Sequence, residues 1–173
     1  MSSALVVVDV QQGLFTRPQP LYRGDEILSR IAALLKRARS NGSPVIHIRH
    51  AGRSGGALEK GSAGWFHHPM VAPGDGESII DKNRSSAFHH TCLHERLSEM
   101  GVKRLVLCGV QTEMCVESTC RGAVSLDYQV TLVADAHTTY DTAVISAEQI
   151  IAHHNRVWEE SFADLATSDR LRI

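Results

Sequence analysis

The sequence predicts an α/β fold of three layers, with helices on both faces of a mostly parallel six-stranded sheet. Two observations point there. Short β-branched runs alternate with longer segments of helical period, the pattern of strands joined by crossover helices. Those runs are apolar at nearly every position instead of every second one, as strands buried on both faces require. No internal repeat or linker interrupts the alternation, so residues 1–173 read as a single domain.

Taken in order, "ALVVVDV" (4–10) is the first strand. "DEILSRIAALLKRARSN" (25–41) sets Ile27, Ile31, Leu34, Leu35 and Ala38 on one helical face, and Gly42 supplies a stop. "PVIHIRH" (44–50) is the second strand. Residues 51–77 are rich in Gly, Ser and Pro and carry Trp65, Phe66, His67 and His68. A stretch of that length in a compact domain is read as a lid or pocket wall. "SIIDK" (78–82) is a short strand, "TCLHERLSEMG" (91–101) a helix with a glycine stop, and "RLVLCGV" (104–110) a buried strand. A helix over about 113–126, the strand "QVTLVAD" (129–135), a helix through 142–156 and a closing segment near 162–166 complete the alternation.

Composition narrows the function classes. With 43% hydrophobic and 21% charged residues and a formal net charge of -1, the chain lacks the basic stripe of a nucleic-acid binder. No block of like charge suggests a membrane patch. The N-terminus enters its apolar run without a basic lead-in, and Asp9 interrupts it, so neither a secretory signal nor a membrane span is expected. Four cysteines at 92, 108, 115 and 120 form no CxxC pair, which fits reduced thiols and a cytoplasmic location.

In sheets of this kind ligands sit beyond the carboxyl ends of the strands, and three chemistries fall there. Asp9 lies near the end of the first strand, Lys82 ends "SIIDK", and Cys115 follows "RLVLCGV" in the first helical turn. Each has a bland reading: a small apolar core residue for Cys115, a hydrogen-bonded strand end for Asp9, a solvated terminus for Lys82. The sharper reading joins them. A thiol at a helix start meets free N–H groups and the positive dipole end, which favour thiolate and receive a developing oxyanion. Asp9 is then the base, and Lys82 the cation that lowers the thiol pKa. Phe15, Trp65 and Phe88 are candidate apolar walls of a substrate pocket, with core packing an equal alternative.

The stretches "VVVDVQQGLF" (6–15), "DKNRSSAF" (81–88) and "LCGVQTEMCVESTCRGAVSLDYQVTLVADA" (107–136) resemble isochorismatase-like cysteine hydrolases, the superfamily of nicotinamidases and N-carbamoylsarcosine amidases. The resemblance implies a Rossmann-like sheet and an Asp–Lys–Cys triad at Asp9, Lys82 and Cys115. It also implies a cis peptide between Val110 and Gln111 that aims the N–H groups of Gln111 and Cys115 at one oxygen, and a homo-oligomer. Two departures are visible. Where nicotinamidases carry an Asp-x-His metal pair, this chain has "HIRHAGRSGGALEKGSAGWFHHP" with no aspartate near His47 or His50, and His67 and His68 are adjacent. No metal and no cofactor are therefore expected. Asp127 stands where the family commonly has glycine.

The expected activity is hydrolysis of a C–N bond in a small amide or ureido compound through a thioester. The alternatives are a vinyl-ether hydrolase of the isochorismatase type, whose chemistry needs no nucleophilic cysteine, a redox sensor using Cys115, and a non-catalytic member of the fold. For the sensor, Cys120 lies five residues from Cys115 on a different helical face and makes a poor resolving thiol.

Overall fold

A computed structural model describes residues 2–173. Six strands form one sheet: β1 (Ser3–Val8), β2 (Val45–His50), β3 (Ser78–Lys82), β4 (Arg104–Val110), β5 (Gln129–Thr138) and β6 (Asp164–Ala166), in spatial order β3-β2-β1-β4-β5-β6. Every pairing is parallel. Alternate residues of β1 enter two different cores. Leu5 and Val7 join α2 (Gly24–Ser40) on one face, while Ala4, Val6 and Val8 join α3 (Leu93–Glu99), α4 (Glu117–Val124) and α5 (Ala147–Ser161) on the other. That double burial is why the strand has no polar alternation. Among the described residues, no helix is long and apolar enough to cross a membrane.

The order reverses at β1 and β4, so their carboxyl ends flank the crevice where open α/β sheets take ligands. Close approach there depends on Gly109. Its φ is +133°, and an added Cβ would lie 2.0 Å from the Val8 carbonyl oxygen. The Val110–Gln111 peptide that follows is cis, as the family resemblance implied.

Several boundaries differ from the sequence reading. A one-turn helix α1 (Gln12–Phe15) follows β1 and escapes periodicity because it is a single turn. The helix expected from about 113 begins with a π-helical turn over Thr112–Val116, and only then becomes α4. The last helix starts at Ala147, not 142, behind a Ser146–Gln149 capping box. Asp127 adopts φ +62° after α4, a left-handed turn that aspartate tolerates better than most residues. Residues 51–77 pack against the turn that follows β1. They form two 3-10 turns, and Gly13 admits them closely, since a Cβ there would lie 2.3 Å from the Ala57 carbonyl oxygen.

Candidate active site

Asp9 is the first residue beyond β1, held at φ +49°. Lys82 closes β3, and Cys115 lies in the π-helical turn after β4. The three converge on one point. Lys82 Nζ is 2.7 Å from Asp9 Oδ2, 3.2 Å from Cys115 Sγ, 3.0 Å from the Arg84 carbonyl oxygen and 3.4 Å from His50 Nδ1. Its side chain is fully buried and that of Asp9 is 2% exposed. An ammonium offers only donors, so His50 Nδ1 must accept. Three hydrogens thus serve four acceptors. Lys82 is the charged partner of the Asp9 carboxylate, and the Cys115 thiol lies beside it. The carboxylate rests on its ion pair and keeps lone pairs free for a proton.

The sulfur does not rest as thiolate. Burial, followed by the charge of Asp9, pushes the Cys115 thiol up to about 12, and the opposing pull of Lys82 is smaller. The expectation of a thiolate at the helix start weighed one field and left out desolvation, which here dominates. Alkylation of Cys115 by iodoacetamide should therefore rise about tenfold per pH unit from about pH 6 to about pH 9, without levelling. Peptide mass spectrometry after timed quenching reads this, with exposed Cys92 as reagent control. A plateau near neutrality would show a thiolate already formed.

A cavity of about 170 Å³ opens over the sulfur, bounded by Asp9, His50, Cys115 and Gln111 with Leu14, Leu58, Val110 and Met114 as apolar walls and Arg17 and Ser85 completing it. A larger cavity of about 380 Å³ borders Lys82 but not Cys115, so the smaller one is the candidate reactive space. None of the three aromatic candidates lines it. Phe15 faces a separate cleft and packs on His68 at 5.2 Å. Trp65 is covered by the Arg49 guanidinium, 3.4 Å from its ring centroid. Phe88 stacks on Tyr128 against the core. The walls are aliphatic instead, because one-turn α1 delivers Leu14 and the 51–77 stretch delivers Leu58.

A family model described as the isochorismatase domain matches residues 3–168. The chain belongs to the isochorismatase family. Among family relatives, it is similar to a streptothricin hydrolase of Streptomyces noursei, 38% identical over 138 residues that cover 80% of this chain and 50% of that protein. The chain thus spans about half the length of that relative. It is also similar to Nicotinamidase 3 of Arabidopsis thaliana, 27% identical over 98% of this chain and 87% of the relative. The crystal structure of an isochorismatase from Pseudomonas putida KT2440 superposes with a TM-score of 0.94 at 36% identity, covering 98% of this chain and 90% of that one. The chain also has the three-layer architecture of that structural neighbour.

Around this isochorismatase-family site stand supports that the sequence reading did not single out. Gln11 is fully buried. Its Nε2 donates to the carbonyls of His50 at 3.0 Å and Trp65 at 2.7 Å, and its Oε1 accepts from the His50 N–H at 2.9 Å. One side chain thereby ties the 51–77 stretch to β1 and β2. Thr112 opens the cysteine-bearing turn and pairs its Oγ1 with His137 Nδ1 at 2.9 Å, while His137 Nε2 meets Asn155 Oδ1 at 2.9 Å. Burial keeps His137 neutral down to about 4, so the turn stays anchored across the neutral range. The only available signal was polar residues inside otherwise apolar strand ends.

The histidines take separate tasks. His67 packs on His47 with ring centroids 5.3 Å apart, and His68 turns to Phe15. His47 is fully buried with Nε2 2.9 Å from Glu77. Ligating atoms of Asp9, His50 and Cys115 lie within 4.8 Å of one another. The Lys82 ammonium already sits within 3.4 Å of all three, and a cation there would meet its charge.

Proposed function

We propose that the protein cleaves the C–N bond of a small amide or ureido compound through a thioester on Cys115. The observation that carries this reading is the Lys82 ammonium bridging Asp9 and Cys115, both of which line one small cavity. Because the thiol rests protonated, its proton passes to Asp9 as sulfur attacks the carbonyl carbon, so no free thiolate need accumulate. The carbonyl π pair moves onto oxygen, where the N–H groups of Gln111 and Cys115 and the field of Lys82 stabilise it. Collapse breaks the C–N bond, and Asp9 returns the proton to the departing amine. Water, deprotonated by the same carboxylate, adds to the thioester and releases the acid and the thiol. The balance is amide plus water to acid plus amine.

The family membership supports hydrolysis, and relatives named as nicotinamidase and streptothricin hydrolase fit C–N cleavage. A cavity of about 170 Å³, below the ~300 Å³ of drug-sized sites, suits a small substrate. The test is a panel of small amides and carbamoyl compounds, assayed for ammonia and for an acyl mass on Cys115 after acid quench. Turnover with the adduct supports the reading. Isochorismate hydrolysis that survives Cys115→Ala replaces it with the vinyl-ether alternative.

A further inference from the structure

One charged residue that borders the cavity has no charged partner among the described residues: Arg17, an exposed residue whose guanidinium is free to meet a ligand. Asp9 is matched by Lys82. Burial and the neighbouring ammonium lower the His50 pKa from its ordinary value, so its imidazole is neutral at pH 7, and the Cys115 thiol is protonated. Glu113, on the cysteine-bearing turn, does not line the cavity; its Oε1 accepts from Thr139 Oγ1 at 2.8 Å. Arg17 does line it. Among the described residues, no carboxylate lies within salt-bridge distance of its guanidinium and no acceptor takes its N–H groups. Asp9, the other charged residue of the cavity lining, has its partner in Lys82.

The guanidinium is nevertheless located. Its Cζ lies 5.1 Å from the centroid of the Tyr140 ring, a stacking that costs the five donors nothing. Tyr140 is itself buried, and its hydroxyl donates to the Leu14 carbonyl, on the helical turn whose side chain walls the same cavity. Arg17 and Cys115 thus border the same partly apolar space. A planar fork of free donors in that position suits a carboxylate, which it grips through two parallel hydrogen bonds.

We propose that Arg17 anchors a carboxylate carried by the substrate at the end remote from the scissile bond, which makes the substrates small acidic amides or ureides. The inference rests on the amide-hydrolase reading and narrows it. Leu14, Leu58, Val110 and Met114 supply apolar lining of the same cavity for a short aliphatic span, and the carbonyl is presented to the sulfur by holding the molecule at its other end.

The test compares a ladder of half-amides (malonamic, succinamic and glutaramic acids) with the corresponding neutral diamides. The expected result is a kcat/KM preference for one acid over its diamide of about 10- to 100-fold, the scale of a charge-assisted hydrogen-bond pair. Arg17→Gln should collapse that ratio through KM, and Arg17→Lys should restore part of it. A second measurement needs no turnover: the Cys115 alkylation rate with iodoacetate divided by that with iodoacetamide should fall about tenfold in Arg17→Gln. An acid-to-diamide ratio near one in the wild type, or both ratios unmoved in Arg17→Gln, overturns the anchor while leaving an acyl adduct on Cys115, and with it the hydrolase reading, intact. Loss of the adduct with every amide sinks the hydrolase reading instead.

Discussion

Replacing Cys115 with alanine is expected to abolish amide hydrolysis, a loss of about ten-thousand-fold or more, while the folded state stays within about 1 kcal/mol of wild type. The two halves have separate causes. In the proposed mechanism Sγ is the atom that forms the bond, and no other thiol can stand in, since Cys108 and Cys120 are fully buried in the core and Cys92 is an exposed residue outside the cavity. The Asp9–Lys82 pair survives the change, because Nζ retains the Arg84 carbonyl and His50 Nδ1 as further acceptors. Cys115→Ser should be nearly as inactive. An alcohol is harder to deprotonate than the thiol, and Asp9 is positioned for the thiol. Ammonia release and the adduct mass are read together with a thermal midpoint. A folded Cys115→Ala protein that still hydrolyses the amide ends the covalent mechanism.

How much of this was legible in the sequence follows from which physical terms a linear pattern carries. Strands buried on both faces announce themselves as unbroken apolar runs, so β1, β2 and β4 were readable to within a residue or two. Residues at strand ends share an edge in a parallel sheet, so Asp9, Lys82 and Cys115 could be brought together before any coordinate. Sheet order is another matter. That β1 and β4 flank the crevice depends on which strands become neighbours, and nothing local encodes it. The aromatic walls failed for the same reason: Trp65 finds Arg49, and Phe88 finds Tyr128, partners distant in sequence. The start of the last helix was readable and overlooked, since "SAEQ" carries its own cap. The protonation state of Cys115 was not, because desolvation is a property of the packed site.

The buried ion pair yields the second large effect, and its two ends are not equivalent. Removing one partner of such a pair leaves a charge without compensation, at about 3–5 kcal/mol. For Lys82→Met that full cost is expected. Asp9 would lose its only charged partner among the described residues. For Asp9→Asn the cost should be smaller, about 1–2 kcal/mol, because the remaining ammonium keeps three acceptors for its three hydrogens in Arg84 O, Cys115 Sγ and His50 Nδ1. Asp9→Asn/Lys82→Met should be more stable than Lys82→Met alone. Urea midpoints at pH 7 for the three variants test the ordering, and equal losses in the two single variants, or a strictly additive double, would contradict it. Both single variants should lose about a thousandfold or more in turnover, for different reasons: Lys82→Met removes the cation beside the sulfur, whereas Asp9→Asn keeps it and removes only the proton acceptor. A folded, inactive Asp9→Asn protein whose Cys115 no longer acylates would therefore isolate proton transfer from the electrostatics that hold the site together.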